Sequence, residues 1–500
     1  MNNIKRFKLL TFITMLIYMS ACNQLDPIDN VVAEVQSPVV SISAQESFAA
    51  ILAAALKEKP DLRVFIKKEA LKQFDRDYDV LVATVRDQEV SGDITFYEIL
   101  KEYDKESQLD GILDSQPLLT IFVPNLPSFS AETWNPQKDE IPFVAVSKPS
   151  KGMVKYFAKE GSYEEDEKFL PAFPVVVVKT NERVVLDQGQ FDGELNLGAD
   201  ISNNNGLNLR FASNQFDVTL HQNEDEIGNR RTRTVDPKIL AAFEKAKASD
   251  CICPHRDFIY YDIFEPEGKN EGAFDSRYGE AITAFTFENV AGIQTATDNW
   301  TEGNLELRIR AFFIGGSSTL TSLLKVVNVP ADEVQTITTE RRCRTIDFGF
   351  ISYSRCTDVI VDRRPKRYVF NDPVDLVTWE MDQFGSKVKY SIQEFDPSAT
   401  YTTTETHSTT KAGNFKFDAT LGKKVKVGAG FGGSVSTTTT KSTTVTYTLG
   451  SEELGEAVLD WTDPVIVKES RPLSSLFRKV YDTYTISTGT VILSCETVRK

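Results

Sequence analysis

Leu305-Glu306-Leu307-Arg308-Ile309-Arg310-Ala311-Phe312-Phe313 places an apolar residue at every second position from Leu305 to Phe313. A period of two puts Leu305, Leu307, Ile309, Ala311 and Phe313 on one face of a strand, with Glu306, Arg308 and Arg310 on the other. Val388, Tyr390 and Ile392 repeat the pattern. One apolar and one polar face is the mark of an antiparallel sheet packed on a core from one side. Strands dominate the chain after Cys253. They also fill residues 118–123, 143–146 and 174–178, which are short, apolar and flanked by prolines. Residues 175–178, Thr180-Asn181-Glu182 and residues 184–186 predict a hairpin, and residues 374–382 with 387–395 predict a second one around 383–386.

Towards the N-terminus the period changes to that of a helix. Ser43-Ala44-Gln45-Glu46 has capping-box spacing ahead of Phe48, Ile51, Leu52 and Leu56. Pro60-Asp61 opens a second helix with Leu62, Phe65, Ile66 and Phe74 on one side. Asp93 is the expected cap of a third, over Phe96, Ile99, Leu100 and Tyr103. Further on, Asp236-Pro237 starts another helix with the preferred cap and first residue. The fold class is therefore α+β: a small helical N-terminal region followed by mostly antiparallel β domains, sandwich-like. Composition divides the 500 residues into a signal segment 1–21, a polar tether 22–42, a helical region 43–115, a β-rich domain 116–235, an α+β domain 236–365 and a C-terminal β domain 366–500.

The first 22 residues carry the clearest signal. Lys5, Arg6 and Lys8 precede an apolar run from Leu9 to Met19, and Ser20-Ala21-Cys22 follows. Charge, a short apolar core and small residues form the layout of an export signal. The run is shorter than the ~20 apolar residues of a spanning helix. Met19-Ser20-Ala21-Cys22 resembles the lipobox of bacterial lipoproteins, with Met19 where leucine is commoner. The resemblance implies cleavage before Cys22, lipid on Cys22 and a membrane-anchored protein outside the cytoplasm. Asn23 is not the aspartate that retains some lipoproteins at the inner membrane, which points to the outer membrane, on its periplasmic face or at the cell surface.

Removing that segment's three positive charges takes the formal net charge from −16 to −19. So acidic a body argues against nucleic acid or anionic lipid as a partner. Six cysteines are present. Outside the cytoplasm thiols pair, and Cys343 and Cys356, flanking Thr345-Ile-Asp-Phe-Gly-Phe-Ile351, are the candidate disulfide. Cys251, Cys253 and Cys495 leave one thiol over. Cys251, Cys253 and His255 alternate as metal ligands would, but no fourth ligand is evident, so a disulfide is the preferred reading.

Other chemistries fail on spacing or context. Asp75-Arg76-Asp77-Tyr78-Asp79 has the first three ligand positions of a calcium loop, but Val80 and Arg86 stand where it needs glycine and glutamate. Gly428-Ala429-Gly430-Phe431-Gly432-Gly433 matches a dinucleotide fingerprint, but a Ser/Thr run follows in place of a helix. Only three histidines exist, and there is no nucleophile elbow, no zinc-protease helix and no P-loop. Four carboxylates, Asp372, Asp375, Glu394 and Asp396, are brought to one end of the predicted 374–395 hairpin. Calcium is the one cofactor the sequence suggests there. Asp257-Phe258-Ile259-Tyr260-Tyr261-Asp262 reads first as a buried strand and second as a sugar-stacking platform.

Residues 400–448 stand apart: two Thr/Ser-rich runs enclose an amphipathic centre. Phe415, Phe417, Ala419 and Leu421 alternate with polar residues, as do Val425, Val427, Ala429 and Phe431. A turn at Gly422-Lys423-Lys424 pairs Leu421 with Val425, Ala419 with Val427, Phe417 with Ala429 and Phe415 with Phe431, all on one face. Continued outward, the register sets Glu405 against Lys441 and Tyr401 against Val445, with arms of about 20 residues that reach ~65 Å. This hairpin resembles the membrane-inserting hairpin of aerolysin-like pore-forming proteins, which also have long Ser/Thr-rich arms around an amphipathic centre. Under that resemblance Phe415, Phe417, Leu421, Val425, Val427 and Phe431 face lipid. The leading expectation is a lipid-anchored, non-enzymatic binding or structural protein with a protein or glycan ligand. Membrane action through the hairpin, and carbohydrate binding or carbohydrate-active chemistry, are the alternatives.

Overall fold

Apolar residues three and four apart build the N-terminal helices. A computed structural model of the chain describes residues 42–137, 141–148, 151–187, 198–203, 206–221, 235–251, 253–318, 320–349, 351–394, 399–412, 415–417, 424–427, 436–449, 453–470 and 479–500. Helix α1 (Ile42–Glu58) buries Phe48, Leu52 and Leu56 completely. Ser43 and Glu46 lie within its described turns and not at a cap. Helix α2 (Pro60–Ala70) opens on Pro60 as expected and buries Leu62, Phe65 and Ile66. Helix α3 (Phe96–Tyr103) is capped by Thr95 and not by Asp93. Thr95 Oγ1 accepts from the Glu98 amide at 3.2 Å, and the Glu98 carboxylate accepts from the Thr95 amide at 2.8 Å. That reciprocal box satisfies two otherwise orphan donors, which is why Thr95 prevails. Helix α4 (Leu109–Ser115) completes the group.

These helices share a core with a six-stranded sheet. Its strands are β1 (Asp79–Leu81), β2 (Leu119–Phe122), β3 (Phe143–Lys148), β4 (Met153–Ala158) and β5 (Gly161–Asp166), followed, after the short β6 (Phe169–Pro171), by β7 (Val175–Thr180). The order is β1-β2-β7-β3-β4-β5, and only β7 and β3 run parallel. Val175 to Val178 are all buried, as a central strand covered on both faces requires. The hairpin expected between residues 175–178 and 184–186 does not form. Val184–Leu186 pairs with Leu209–Phe211 in a separate small sheet. The intervening turn is held from inside: Asn181 and Arg183 are fully buried, and Asn181 Oδ1 accepts from the Arg183 amide at 2.9 Å.

Asp236 caps helix α5 (Pro237–Ala248) as expected, accepting from the Lys238 amide at 2.8 Å. Residues 257–262 are not a strand. They belong to helix α6 (His255–Tyr261), which Pro254 precedes and a left-handed Asp262 ends. The predicted burial holds, since Ile259, Tyr260 and Tyr261 are inside.

The second half is sandwich-like. Its strands, in chain order, are β8 (Glu271–Ala273), β9 (Tyr278–Phe287), β10 (Leu305–Ile314), β11 (Ser322–Val329), β12 (Gln335–Asp347), β13 (Ser352–Pro365), β14 (Tyr368–Asp375) and β15 (Lys387–Glu394). Besides a separate two-stranded pair, Ile466–Ser470 with Val480–Thr483, they continue with β16 (Ala399–Ala412), β17 (Phe415–Phe417), β18 (Lys424–Val427), β19 (Ser436–Leu449), β20 (Glu453–Asp460), β21 (Thr485–Ser487) and β22 (Val491–Arg499). One sheet has the order β14-β9-β22-β21, the other β11-β10-β15-β20. Leu305, Leu307, Ile309, Ala311 and Phe313 share one buried cluster with Phe285, Leu493 and Tyr390. Ile309 faces Ile392 and Ala311 faces Tyr390 across the ladder. The apolar face was thus readable. The charged face was not: Glu306, Arg308 and Arg310 are each 3% exposed.

Residues 374–382 and 387–395 do not form a hairpin either. β14 pairs with β9, whereas β15 pairs with β10 and β20 in the other sheet. Leu376, Val377 and Trp379 are buried between them, and the Trp379 indole donates to the Gly385 carbonyl at 2.8 Å. Burying these side chains carries the chain across the core in place of a tight turn. The two halves are joined by β13, which pairs with both β12 and β6. The architecture is α+β, mostly antiparallel, as the sequence implies.

Candidate functional site

The 400–448 segment forms a ribbon. β16 and β19 pair in one unbroken antiparallel run, from Ala399 opposite Leu449 to Ala412 opposite Ser436. Fourteen residues per arm extend about 46 Å at the usual strand rise. Among the described residues neither strand pairs with a third, so the ribbon is a sheet of its own. The expected register is corrected by two positions: Glu405 faces Thr443, Tyr401 faces Tyr447, and Lys441 faces His407. Nearer the tip, Phe415 faces Val427 and Phe417 faces Val425, four positions from expectation. Both shifts are even, so each residue keeps its face while changing its partner. Leu421 and Phe431 lie outside the described residues, as does the 428–433 glycine motif.

A second ladder accounts for the tip register. β18 pairs on its other side with β8, setting Glu271 opposite Lys426, Gly272 opposite Val425 and Ala273 opposite Lys424. The tip is therefore joined through its backbone to the body. Gly272 is required there: a Cβ at this position would collide with the Tyr261 carbonyl on α6. Only glycine lets β8 pass so close to the helix.

A buried charge cluster lies where the two cores meet. Asp75, Asp77 and Asp79, which have the spacing of a calcium loop, come from the segment leading into β1. Lys179, Asn181 and Arg183 come from the end of β7 and the turn beyond, and Glu306 from β10. Arg183 Nη2 lies 3.1 Å from Asp77 Oδ2 and also pairs with Glu306, while Nη1 lies 3.5 Å from Asp79. Lys179 Nζ is 3.7 Å from Asp79, and the Asn181 amide donates to Asp75 at 2.8 Å. Consistent with the rejection of a calcium loop here, a guanidinium and an ammonium bring the positive charge among these carboxylates. Burial, outweighing Arg183, pushes Glu306 up to about 8, and also raises Asp75 and Asp79 above the ordinary carboxylate range. Arg183, Lys179 and Glu306 escaped the sequence reading. The signal was there, in single charges within the apolar contexts Val177-Val178-Lys179, Arg183-Val184-Val185 and Leu305-Glu306-Leu307.

A second buried pair holds the sandwich. Arg256 grips Glu280 in a fork, Nε to Oε1 at 3.1 Å and Nη2 to Oε2 at 2.9 Å. Tyr260 and Thr497 donate to the same carboxylate at 3.0 and 2.8 Å. Tyr261 accepts from the Met381 amide at 3.1 Å. Both tyrosines are fully buried, so residues 257–262 offer no sugar-stacking platform. His255 Nδ1 accepts from the Val465 amide at 3.1 Å, and burial, aided by Arg256, lowers its pKa to about 4. Cys251 and Cys253 are bonded to each other, and Cys343 to Cys356, directly opposite on β12 and β13. Cys495, fully buried, is the thiol left over.

The remaining predicted sites separate. Asp375, at the end of β14, stands opposite Ala281. Glu394, at the end of β15, stands opposite Leu307 in the other sheet. Asp372 lies in β14, and Asp396 and Cys22 lie outside the described residues. The hairpin that was to gather the four carboxylates is absent. No known family profile matches the chain, no curated protein matches it in sequence, and no solved structure matches its fold.

Proposed function

We propose that the protein is a lipid-anchored protein of the cell envelope, held through Cys22, with no hydrolytic or group-transfer chemistry of its own, and that its working element is the 399–449 ribbon, which acts on membranes. The signal layout of residues 1–22 motivates the anchor. One observation carries the membrane reading: fourteen consecutive pairs stand as a separate two-stranded sheet. In an ordinary sandwich such strands would be absorbed into the sheets on either side. An isolated two-stranded ribbon is only marginally stable in water, and its open edges are templates for further strands. Insertion makes its own demands. The strictly alternating stretch is shorter than the ~9–11 residues of a spanning strand, and Lys423 and Lys424 must cross with the tip.

The test is dye release from liposomes by a soluble Cys22→Ser protein, beside a gel assay for detergent-resistant oligomers. Leakage abolished by Phe417→Asp, with an unchanged circular dichroism spectrum, is the expected result. Silence of the parent protein in both assays removes the membrane reading and leaves a binding or structural role. Labelling with a radioactive fatty acid checks the anchor, since the label must disappear in Cys22→Ser.

A further inference from the structure

We infer that Cys251–Cys253 is a thiol–disulfide exchange site whose substrates are dithiols, either of a protein or of a small molecule. The two disulfides differ in what they do for the fold. Cys343–Cys356 joins opposed residues in the middle of a long ladder, and the Cys356 carbonyl accepts from the Ala172 amide at 2.9 Å. Opening it leaves the sulfurs held face to face, and the bond closes a loop of useful length. Cys251–Cys253 spans a single residue. Because loop-closure stabilisation grows with the logarithm of loop length, this bond gives the fold the least a disulfide can give.

The neighbouring structure stands without it. The Asp250 amide donates to the Lys247 carbonyl at 3.4 Å and the Cys251 amide to the Ala246 carbonyl at 3.2 Å, which closes the C-terminal end of α5 and fixes Cys251 against it. Beyond Cys253, α6 is fixed by His255 on the Val465 amide, by the Arg256–Glu280 fork and by the Trp461 indole, which donates to Asp257 at 2.6 Å. Reduction can therefore proceed without unfolding, and the cysteines stay placed to close again. Both are only partly buried, so an attacking sulfur can reach them.

In the proposed step a thiolate of the incoming dithiol attacks one of the two sulfurs. The Cys251–Cys253 bond breaks, a mixed disulfide forms, and the departing sulfur leaves as a thiolate that takes up a proton. The partner's second thiol, losing its proton, then attacks the mixed disulfide. Two electrons pass to the cysteines, which end as two thiols, and the partner ends as a disulfide.

The experiment is a titration of the oxidised protein with dithiothreitol, followed by alkylation and peptide mass spectrometry. The expected result is that Cys251 and Cys253 become alkylated at a reductant concentration at least tenfold below that for Cys343 and Cys356. Near-ultraviolet circular dichroism should be unchanged at that point, and Cys495, being buried, should stay unmodified. Cys251→Ser should leave a Cys253 that forms a mixed disulfide with oxidised glutathione. The proposal is overturned if both pairs open together, if the 251–253 pair opens only in denaturant, or if its opening erases the near-ultraviolet signal. Should Cys251→Ser fail to fold, the titration of the unaltered protein decides alone.

Discussion

Replacing Glu306 by glutamine tests whether the charge cluster is a point of pH-dependent strength. Glu306 is 3% exposed and faces Arg183, with Lys179, Glu182 and Asp77 nearby. Burial raises its pKa from an ordinary 4.5 to about 8. The folded protein therefore keeps this proton up to about pH 8, whereas the unfolded chain releases it near 4.5. Across that window folding takes up a proton, so stability falls as pH rises. The slope is about 1.4 kcal/mol per pH unit for one proton, or at most roughly 3 kcal/mol between pH 5.5 and 7.5. Glutamine keeps the shape and an acceptor for Arg183 but cannot titrate. Urea unfolding followed by tryptophan emission at pH 5.5, 6.5 and 7.5 should show Glu306→Gln gaining on the parent protein with each step. Asp75 and Asp79, whose pKa values burial also raises, leave a residual slope of the same sign in the variant. Stability curves that run parallel across this range would refute the reasoning.

Two further outcomes follow from the geometry. Gly272→Ala places a methyl group against the Tyr261 carbonyl. Overpacking of this kind costs ~1–3 kcal/mol, and hydrogen exchange at the amides of Lys424–Val427 should accelerate as β8 is pushed from α6. Replacing Cys343 and Cys356 together by serine opens a loop whose closure contributes ~3 kcal/mol in the chain-entropy picture. The urea midpoint should fall accordingly, and an unchanged midpoint would show that the ladder alone holds β12 to β13.

What could be read in the sequence was periodicity, and what could not was which element lies on the other side. Leu305 to Phe313 declared the apolar face of β10, yet the same pattern implied a solvated face for Glu306, Arg308 and Arg310. Glu306 is drawn inside by Arg183, more than a hundred positions earlier, and a local period carries no trace of such a partner. Helix starts at Pro60 and Asp236 were legible because their chemistry is local. Both failed hairpins share one cause. Adjacent strand-like runs suggested a turn, but Asn181 and Arg183 in one case, and Leu376, Val377 and Trp379 in the other, are buried groups that draw the chain into the interior. For the candidate sites, the Cys343–Cys356 pairing was visible as two cysteines flanking the short strand-like run 345–351, close enough to staple a small loop. The carboxylate quartet was not tested by spacing at all, since it depended on a hairpin the fold does not make.

The ribbon shows how far a parity argument reaches. An apolar–polar alternation fixes which residues share a face, and any register shifted by an even number satisfies it equally. The sequence thus left a ladder of permitted registers two residues apart, and the ribbon takes one of these in its arms and another at its tip. Between Ala412 and Phe415 one arm advances by three positions, while from Val427 to Ser436 the other advances by nine. The two ladders are thus offset by six positions, and β18 pairs with β8 while the long ladder stays unbroken. Under the proposed reading this separation of tip from arms has a use. The tip can leave β8 at the expense of three ladder pairs while the fourteen pairs of the arms stay intact, so what a membrane would meet is a ribbon already formed.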